Sequence, residues 1–186
     1  MYNYNKNHLN KMPVIDYVFR AAQSCEVAEI FGLYVERVCW MDENNINQWN
    51  TTGYLERYPV SYYKEQCELG SLYILLNAND GKLVGAVVLY QSDDRWLDKA
   101  DVPAYYIHNL VTAPGVKGAG VRIIEESERL GIEHGKHCMR LDCAEDNIYL
   151  NEYYASKGYV EAGRCKDGLY VGIRREKRLP VIISRL

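Results

Sequence analysis

A strand that runs into a glycine-rich turn, and from there directly into a helix, constrains this chain more than any other feature. The segment from Tyr106 to Gly120 begins with an apolar run and places Gly115, Gly118 and Gly120 ahead of a predicted helix at 121–134. Backbone N–H groups at the start of a helix lack intrahelical partners, and the helix dipole favours negative charge there. Because glycine lets a ligand approach the backbone closely, the turn is suited to hold a diphosphate.

The turn fits neither of two familiar glycine motifs. A P-loop requires Gly-Lys followed by Ser or Thr, and the pairs Gly81-Lys82 and Gly135-Lys136 lack that residue. A dinucleotide-binding turn requires a third glycine, but Ile123 occupies that position. A purely structural turn before a helix therefore stays open as an alternative to a phosphate site.

A second segment adds to this pattern. Asn147 and Tyr154 are seven residues apart in a predicted helix and share one of its faces, and Gly158-Tyr159 follows. Together with the glycine turn, this order and spacing resembles the GNAT superfamily of N-acetyltransferases. In that family an Asn is followed by a Tyr seven residues on and by Gly-Phe four further on. Here Tyr159 replaces the Phe, and the resemblance covers roughly residues 14–175.

The resemblance implies an α+β fold. We expect a mixed, mostly antiparallel twisted sheet of six to seven strands flanked by helices, with the fourth and fifth strands splayed apart. Sequence patterns place strands at 14–21, 72–76, 83–90, 104–111, 139–143, 159–164 and 169–174, and helices at 24–40, 59–68, 121–134 and 148–157. Clusters of Asn, Asp, Ser and Gly at 77–81 and 92–95 predict loops.

Length and charge limit the function classes. The 186 residues predict a single domain at 12–186 after a flexible arm at 1–11. With 22 basic and 25 acidic residues, the chain does not have the basic character of a nucleic-acid binder. No apolar run approaches the about 18 residues of a membrane span, and we expect a cytoplasmic protein without a signal peptide. The tail at 179–186 is predicted to be an edge strand or a homodimer contact.

The six cysteines show no CxxC pair and no compact Cys/His cluster. We therefore expect free thiols in a reducing compartment and no metal site.

The resemblance implies acetyl-CoA as the acetyl donor. Its pantetheine would lie in the gap between the splayed strands, and its diphosphate on the turn. The implied contacts are Leu110, Val111, Thr112, Lys117, Gly118, Ala119, Gly120, Val121, Arg122 and Asn147. For Arg122 a solvated helix position, and for Asn147 a helix cap, are the alternatives. One departure from the family pattern is that Gly115 occupies its Arg/Gln position, which leaves Lys117 as the turn's cation.

Acetyl transfer to an amine requires a proton acceptor and a donor to the departing thiolate. Tyr154 matches the family's helix tyrosine and is the candidate donor, with packing alone as its alternative role. His108 is the candidate base, because imidazole titrates near neutral pH, and strand alternation predicts that it shares a face with Tyr106 and Leu110. Ordered water is the alternative proton acceptor.

The acceptor site is predicted around the first helices, as the resemblance implies. Its candidate residues are Trp40, Asp42, Glu43 and Trp49 in that region and Tyr106 on the strand predicted at 104–111, since aromatic rings and carboxylates can bind an ammonium group. An aromatic cluster that covers the core is the alternative.

These observations predict an acetyl-CoA-dependent N-acetyltransferase that acts on a small-molecule amine. A non-catalytic acyl-CoA sensor, a protein N-acetyltransferase and an interaction module without coenzyme remain as alternatives.

Overall fold

Seven strands form one sheet in the order β1-β2-β3-β4-β5-β7-β6. They were located in a computed structural model that describes residues 16–168 and 170–181. Their bounds are β1 Tyr17–Ala21, β2 Leu72–Asn77, β3 Leu83–Tyr90, β4 Ala104–Thr112, β5 Cys138–Ala144, β6 Val160–Asp167 and β7 Tyr170–Arg178. All pairs are antiparallel except β4 with β5, which confirms the predicted mixed, mostly antiparallel sheet. The predicted arm at 1–11 and most of the tail at 179–186 lie outside the described residues.

Five α-helices accompany the sheet within the described ranges. They are α1 Val27–Glu43, α2 Tyr54–Arg57, α3 Val60–Glu68, α4 Ala119–Glu133 and α5 Ile148–Ser156. The helix predicted from position 24 begins with a 3₁₀ turn at Ser24–Glu26, and Gln23 is the N-cap of that turn. The prediction of a loop at 92–95 was wrong for its last two residues, because a 3₁₀ helix covers Asp94–Lys99. Asp93 initiates that helix by accepting the N–H of Arg95 at 2.9 Å.

Strands β4 and β5 part after three residues. Their pairing joins Ala104 with Cys138, Tyr105 with Met139 and Tyr106 with Arg140, and no further pair follows. Both strands nevertheless continue, to Thr112 and Ala144. The predicted splay is therefore confirmed, and it leaves a gap in the middle of the sheet.

A bulge interrupts β4 at Asn109, whose φ of 49° is left-handed. The register passes from Val88–His108 to Ala86–Val111, so β4 holds one residue more than β3. As a result, Leu110 packs with the cluster around Ile107, whereas Tyr106 packs with Trp96. The prediction that His108 and Tyr106 share a face with Leu110 was wrong for Leu110, because strict alternation ends at the bulge.

The two faces of the sheet carry separate apolar clusters. Helix α4 covers one face through Ile123 and Ile124, while α1 covers the other through Ile30 and Tyr34. Within the described residues, no helix is both long and apolar enough to cross a membrane. The six cysteines are free, and no cluster of three or more potential metal ligands occurs in the described part of the chain.

Candidate active site

The glycine turn presents a row of unpaired amides. Gly115 and Gly118 have φ of 81° and 83°, and Gly118 is the N-cap of α4. The N–H groups of residues 117–121 find no hydrogen-bond acceptor in the described structure, whereas the next one, at Arg122, bonds to the Gly118 carbonyl at 3.0 Å. A Cβ at Gly120 would meet only Thr112 Cγ2, at 3.8 Å, so this surface is open. Open amides at the start of a helix are the arrangement that suits an anion, so a phosphate site at this turn stays a prediction.

An arginine from α1 stands beside this turn. Arg37 bonds through Nη2 to Thr112 Oγ1 at 2.9 Å and through Nε to the Thr112 carbonyl at 3.2 Å, and its guanidinium lies 4.8 Å from the Trp40 ring. It is partly buried and forms no salt bridge with any carboxylate of the described residues. Burial lowers the pKa of Arg37 below its usual value. A nearby anion would therefore stabilise this charge.

Leu110, Val111 and Thr112 of β4 are predicted to contact the coenzyme, and their backbone groups do not all point the same way. Ala113 donates its N–H to Val84 of β3 at 2.9 Å, so Val111, two residues earlier, also faces β3. Leu110 and Thr112 consequently turn their backbone groups towards the gap. Two of the three predicted β4 residues are therefore oriented to pair with a ligand there.

A cavity of about 860 Å³ opens beside β4. Its lining combines aromatic, acidic and basic side chains: Tyr58, Tyr62, Tyr90, Ser92, Asp93, Asp94, Arg95, His108, Cys165, Lys166 and Asp167. His108 Nε2 lies 2.8 Å from Asp93 Oδ2, and its ring packs against Tyr90 with a centroid distance of 4.8 Å. The cavity thus contains an imidazole that is paired with a carboxylate.

The Asp93 carboxylate is 9% exposed. Burial acts to raise the pKa of Asp93, but hydrogen bonds from His108 and from the Arg95 N–H outweigh it, and the pKa lies below its usual value. Asp93 is therefore an anion at neutral pH. Burial also raises the pKa of Cys165 to about 11, so this cavity residue is a thiol rather than a nucleophilic thiolate.

Tyrosines enclose the bulge residue. Asn109 donates from Nδ2 to the Tyr54 hydroxyl at 2.6 Å and accepts at Oδ1 from Tyr62 at 2.8 Å. Its carbonyl accepts from Tyr34 at 2.5 Å, and the Tyr62 and Tyr90 hydroxyls lie 2.5 Å apart. These contacts hold Asn109 in its left-handed conformation next to His108.

Tyr154 lies on α5, next to β5, and Asn147 immediately precedes this helix. The Tyr154 ring packs edge-on to Tyr159 at 5.9 Å, and its hydroxyl has no hydrogen-bond partner among the described residues. Burial, with the Cys143 thiol as a smaller cause, raises the pKa of Tyr154, so the phenol keeps its proton at neutral pH. Asn147 caps α5 by accepting the Leu150 N–H at 3.0 Å, which matches the alternative considered for it.

The residues predicted for the acceptor site do not line the cavity. Trp40 stacks with Arg37, Trp49 stacks on Tyr54 at 4.3 Å, Asp42 accepts from Asn50, and Glu43 is exposed. Tyr106 is buried and accepts from Arg140 Nη1 at 2.8 Å. Arg122, predicted as a coenzyme contact, forms an ion pair with Glu126 at 2.9 Å.

Sequence reasoning missed Asp93, Arg95 and Arg37. Arg95 joins Asp142 of β5 to Asp167 of β6, with both distances 3.1 Å, and so fixes one wall of the cavity. The Asp93-Asp94-Arg95 run does carry the local signal of a capped turn, but nothing in the sequence connects that turn to His108.

Comparison with known proteins gives a consistent result. The model of the Acetyltransferase (GNAT) family matches residues 43–159, more than half of the chain. The uncharacterized N-acetyltransferase YesJ of Bacillus subtilis (strain 168) is 25% identical over 154 residues, which cover 78% of this chain and 83% of YesJ.

Solved structures share the fold. A GNAT-family acetyltransferase from Listeria monocytogenes 4b F2365 is 26% identical with a TM-score of 0.78, over 90% of this chain and 97% of that one. The PaiA N-acetyltransferase of Thermoplasma acidophilum, solved with coenzyme A, is 16% identical with a TM-score of 0.65, over 88% and 99% of the two chains. Because the matched family region includes the glycine turn, the splayed strands and Tyr154, this chain belongs to the GNAT family and is an acetyltransferase.

Proposed function

We propose that this enzyme transfers the acetyl group of acetyl-CoA to the amine of a small molecule. The observation that carries the proposal is the position of the cavity: it contains the His108–Asp93 pair, and His108 lies on β4, the strand that borders the gap. Its volume of about 860 Å³ lies within the range of about 300–1,000 Å³ typical of small-molecule sites.

The coenzyme fits the turn and the gap. Five unpaired N–H groups at 117–121 suit a diphosphate, and Arg37 adds the cation that the glycine at position 115 does not supply. The backbone groups of Leu110 and the N–H of Thr112 can pair with the pantetheine arm, while the Thr112 carbonyl accepts from Arg37. The PaiA enzyme, which has the same fold, was solved with coenzyme A.

The cavity wall suits an amine. The rings of Tyr58, Tyr62 and Tyr90 offer π faces, and the carboxylate of Asp94 is exposed beside them. A protonated amine is attracted by both kinds of group. The acceptor would reach the site in this form, and one proton must first pass to solvent, so that the neutral amine is the nucleophile.

Acetyl-CoA supplies the acetyl group as an activated thioester. In our proposal, His108 accepts a proton from the amine, whose nitrogen forms a bond to the carbonyl carbon. A β4 backbone N–H near Val111, from Leu110 or Thr112, stabilises the charge that develops on the carbonyl oxygen. The carbon–sulfur bond breaks, and Tyr154 donates its proton to the sulfur, so that the products are the amide and free coenzyme A. The His108 imidazolium then releases its proton to solvent, and the Tyr154 phenolate takes one up, which restores both residues.

Calorimetry with acetyl-CoA and then free-thiol detection with a panel of monoamines, diamines and amino acids would test this function. We expect binding of the coenzyme, and thiol release that depends on one class of amine. Absence of coenzyme binding would refute the proposal. Binding without thiol release in any amine would instead indicate an acyl-CoA sensor.

A further inference from the structure

The two oxygens of Asp93 have different partners. Oδ1 accepts the backbone N–H of Arg95 at 2.9 Å, and Oδ2 contacts His108 Nε2 at 2.8 Å. The first bond is the N-cap of the 3₁₀ helix and is independent of His108. The orientation of the carboxylate is therefore fixed by the backbone, and the imidazole adapts to it.

This arrangement determines where the imidazole proton sits. A neutral imidazole has one N–H donor and one acceptor nitrogen, while a carboxylate can only accept. Beside the anionic Asp93, Nε2 must carry the proton, and Nδ1 is left as the basic nitrogen. Nδ1 has no hydrogen-bond partner in the part of the chain that the structure describes.

We propose that Asp93 is the positioning residue of the active site: it holds His108 as the Nε2–H tautomer, so that Nδ1 accepts the proton of the acceptor amine. The proposal rests on the proposed function, in which His108 is the base. As the amine attacks, its proton forms a bond to Nδ1, and the resulting imidazolium is stabilised by the adjacent carboxylate.

Further contacts connect this pair to its surroundings. The Arg95 guanidinium bonds to Asp142 and Asp167 at 3.1 Å each, and Asp142 also accepts from the Tyr170 hydroxyl at 2.6 Å. The Tyr90 ring covers His108, and its hydroxyl pairs with Tyr62. Asp93 is thus connected through Arg95 to two strands on the far side of the gap.

The variant Asp93→Asn separates tautomer control from folding. Asn can keep the cap on Arg95 through Oδ1, but it presents an NH₂ donor to Nε2 instead of an oxygen. Nε2 must then become the acceptor, and the proton moves to Nδ1. We expect the side-chain ¹⁵N spectrum at about pH 9 to show the Nε2–H form in the wild type and the Nδ1–H form in Asp93→Asn.

His108 is one of four histidines, so its signals are assigned by their absence from His108→Gln. With the amine that supports thiol release, Asp93→Asn should lower turnover about 10²–10⁴-fold, the share typical of a base. Asp98→Asn is the matched control, since Asp98 is an ion-paired carboxylate of the same 3₁₀ helix outside the cavity. It should change neither the spectrum nor the turnover.

Three results would overturn the proposal: an Nδ1–H tautomer in the wild type, an Nε2–H tautomer that persists in Asp93→Asn, or a switched tautomer with unchanged turnover. Failure of the proposed function is distinguishable, because it appears in the wild type as no amine-dependent thiol release. The tautomer measurement requires neither acetyl-CoA nor an amine. If the wild type itself holds the Nδ1–H form, the positioning role is excluded whatever the enzyme's substrate.

Discussion

At the scale of single residues, the proposed base and acid are held by different forces. His108 is fixed by a hydrogen bond to a buried carboxylate, whereas Tyr154 is fixed by the packing of its ring on Tyr159 and Tyr153. The Tyr154 hydroxyl bonds to no described residue and is free to meet a ligand. Loss of this hydroxyl would therefore leave no protein group unpaired.

Tyr154→Phe should lower turnover about ten- to a thousandfold, because the thiolate loses its proton donor while the ring stays packed. Affinity for acetyl-CoA and the melting temperature should change little. Steady-state kinetics, calorimetry and thermal unfolding measure the three quantities. Tyr153→Phe is the control, since Tyr153 stacks on Tyr149 on another side of the same helix. Near-normal turnover in Tyr154→Phe would mean that the tyrosine only packs.

Arg37→Gln should weaken binding of acetyl-CoA about tenfold, because the side chain can still bond to Thr112 but carries no charge for a phosphate. The loss should be smaller at high salt, which screens the interaction in the wild type. Calorimetry at two salt concentrations measures both effects. Arg129→Gln, which removes an exposed arginine paired with Glu126 and Glu133, should bind as the wild type does. Equal affinities of Arg37→Gln and wild type would exclude a contact with phosphate.

At the scale of secondary-structure elements, the junction of β4 and α4 brings the site together. The strand supplies the gap-facing amides of Leu110 and Thr112, and the turn supplies the unpaired N–H groups of residues 117–121. Thr112 is the last residue of β4. Its side chain bonds to Arg37 and also lies beside Gly120.

Gly120→Leu should weaken acetyl-CoA binding tenfold or more, because the side chain would cover the amides. The position can take a side chain without backbone strain, since its φ is not positive and only Thr112 lies within 4 Å. Gly32→Leu is the matched control on α1, where nothing lies within 4 Å of an added Cβ. Both variants should change the free energy of unfolding by less than about 1 kcal/mol, as helix propensity indicates. Unweakened binding in Gly120→Leu would place the diphosphate elsewhere.

Local sequence patterns predicted most of the helices and strands. The features that these patterns missed depend on contacts between residues far apart in the chain. The glycines at 118 and 120 and the Asn147–Tyr154 spacing lie within single segments, so the sequence displays them directly. The bulge at Asn109 depends on hydroxyls from α1, α2 and α3, which no alternation of β4 reveals. The cavity escaped prediction for the same reason, because Asp93, His108 and Asp167 come from three separate elements.

At the scale of the whole molecule, ion pairs connect elements that backbone hydrogen bonds do not. Arg95 links the 3₁₀ helix after β3 to β5 and β6, and Arg57 of α2 also bonds to Asp167. Four carboxylates, Glu26, Asp93, Asp98 and Asp167, have pKa values below their usual range. For Glu26, Asp98 and Asp167 the largest cause is a hydrogen bond that an arginine donates to the carboxylate. For Asp93, the hydrogen bonds from His108 and from the Arg95 N–H outweigh the effect of burial on the pKa.

Stability should therefore fall in acid. A carboxylate whose pKa is lower in the folded chain stabilises the fold above its unfolded pKa of about 4, and this stabilisation is lost as the pH falls through the folded value. Urea unfolding should show a free energy that declines from about pH 5 downward. Glu26→Gln, which removes the partner of Arg20, should flatten this decline, whereas Glu29→Gln on the exposed side of α1 should not. A constant free energy down to pH 3 would contradict the expectation.

Strand β6 is an outer edge of the sheet, with no strand on its far side in the described structure. Bare edges of this kind are templates on which another chain can add a strand and start an aggregate. The register of β6 with β7 shifts between Glu161 and Gly163, which marks a bulge, and the φ of Gly163 is 117°. The charged residues Arg164 and Lys166 follow in the same strand. A bulge and charges together prevent a continuous intermolecular ladder. The bulged edge thus lets the enzyme keep one side of its sheet open without exposing a surface that polymerises.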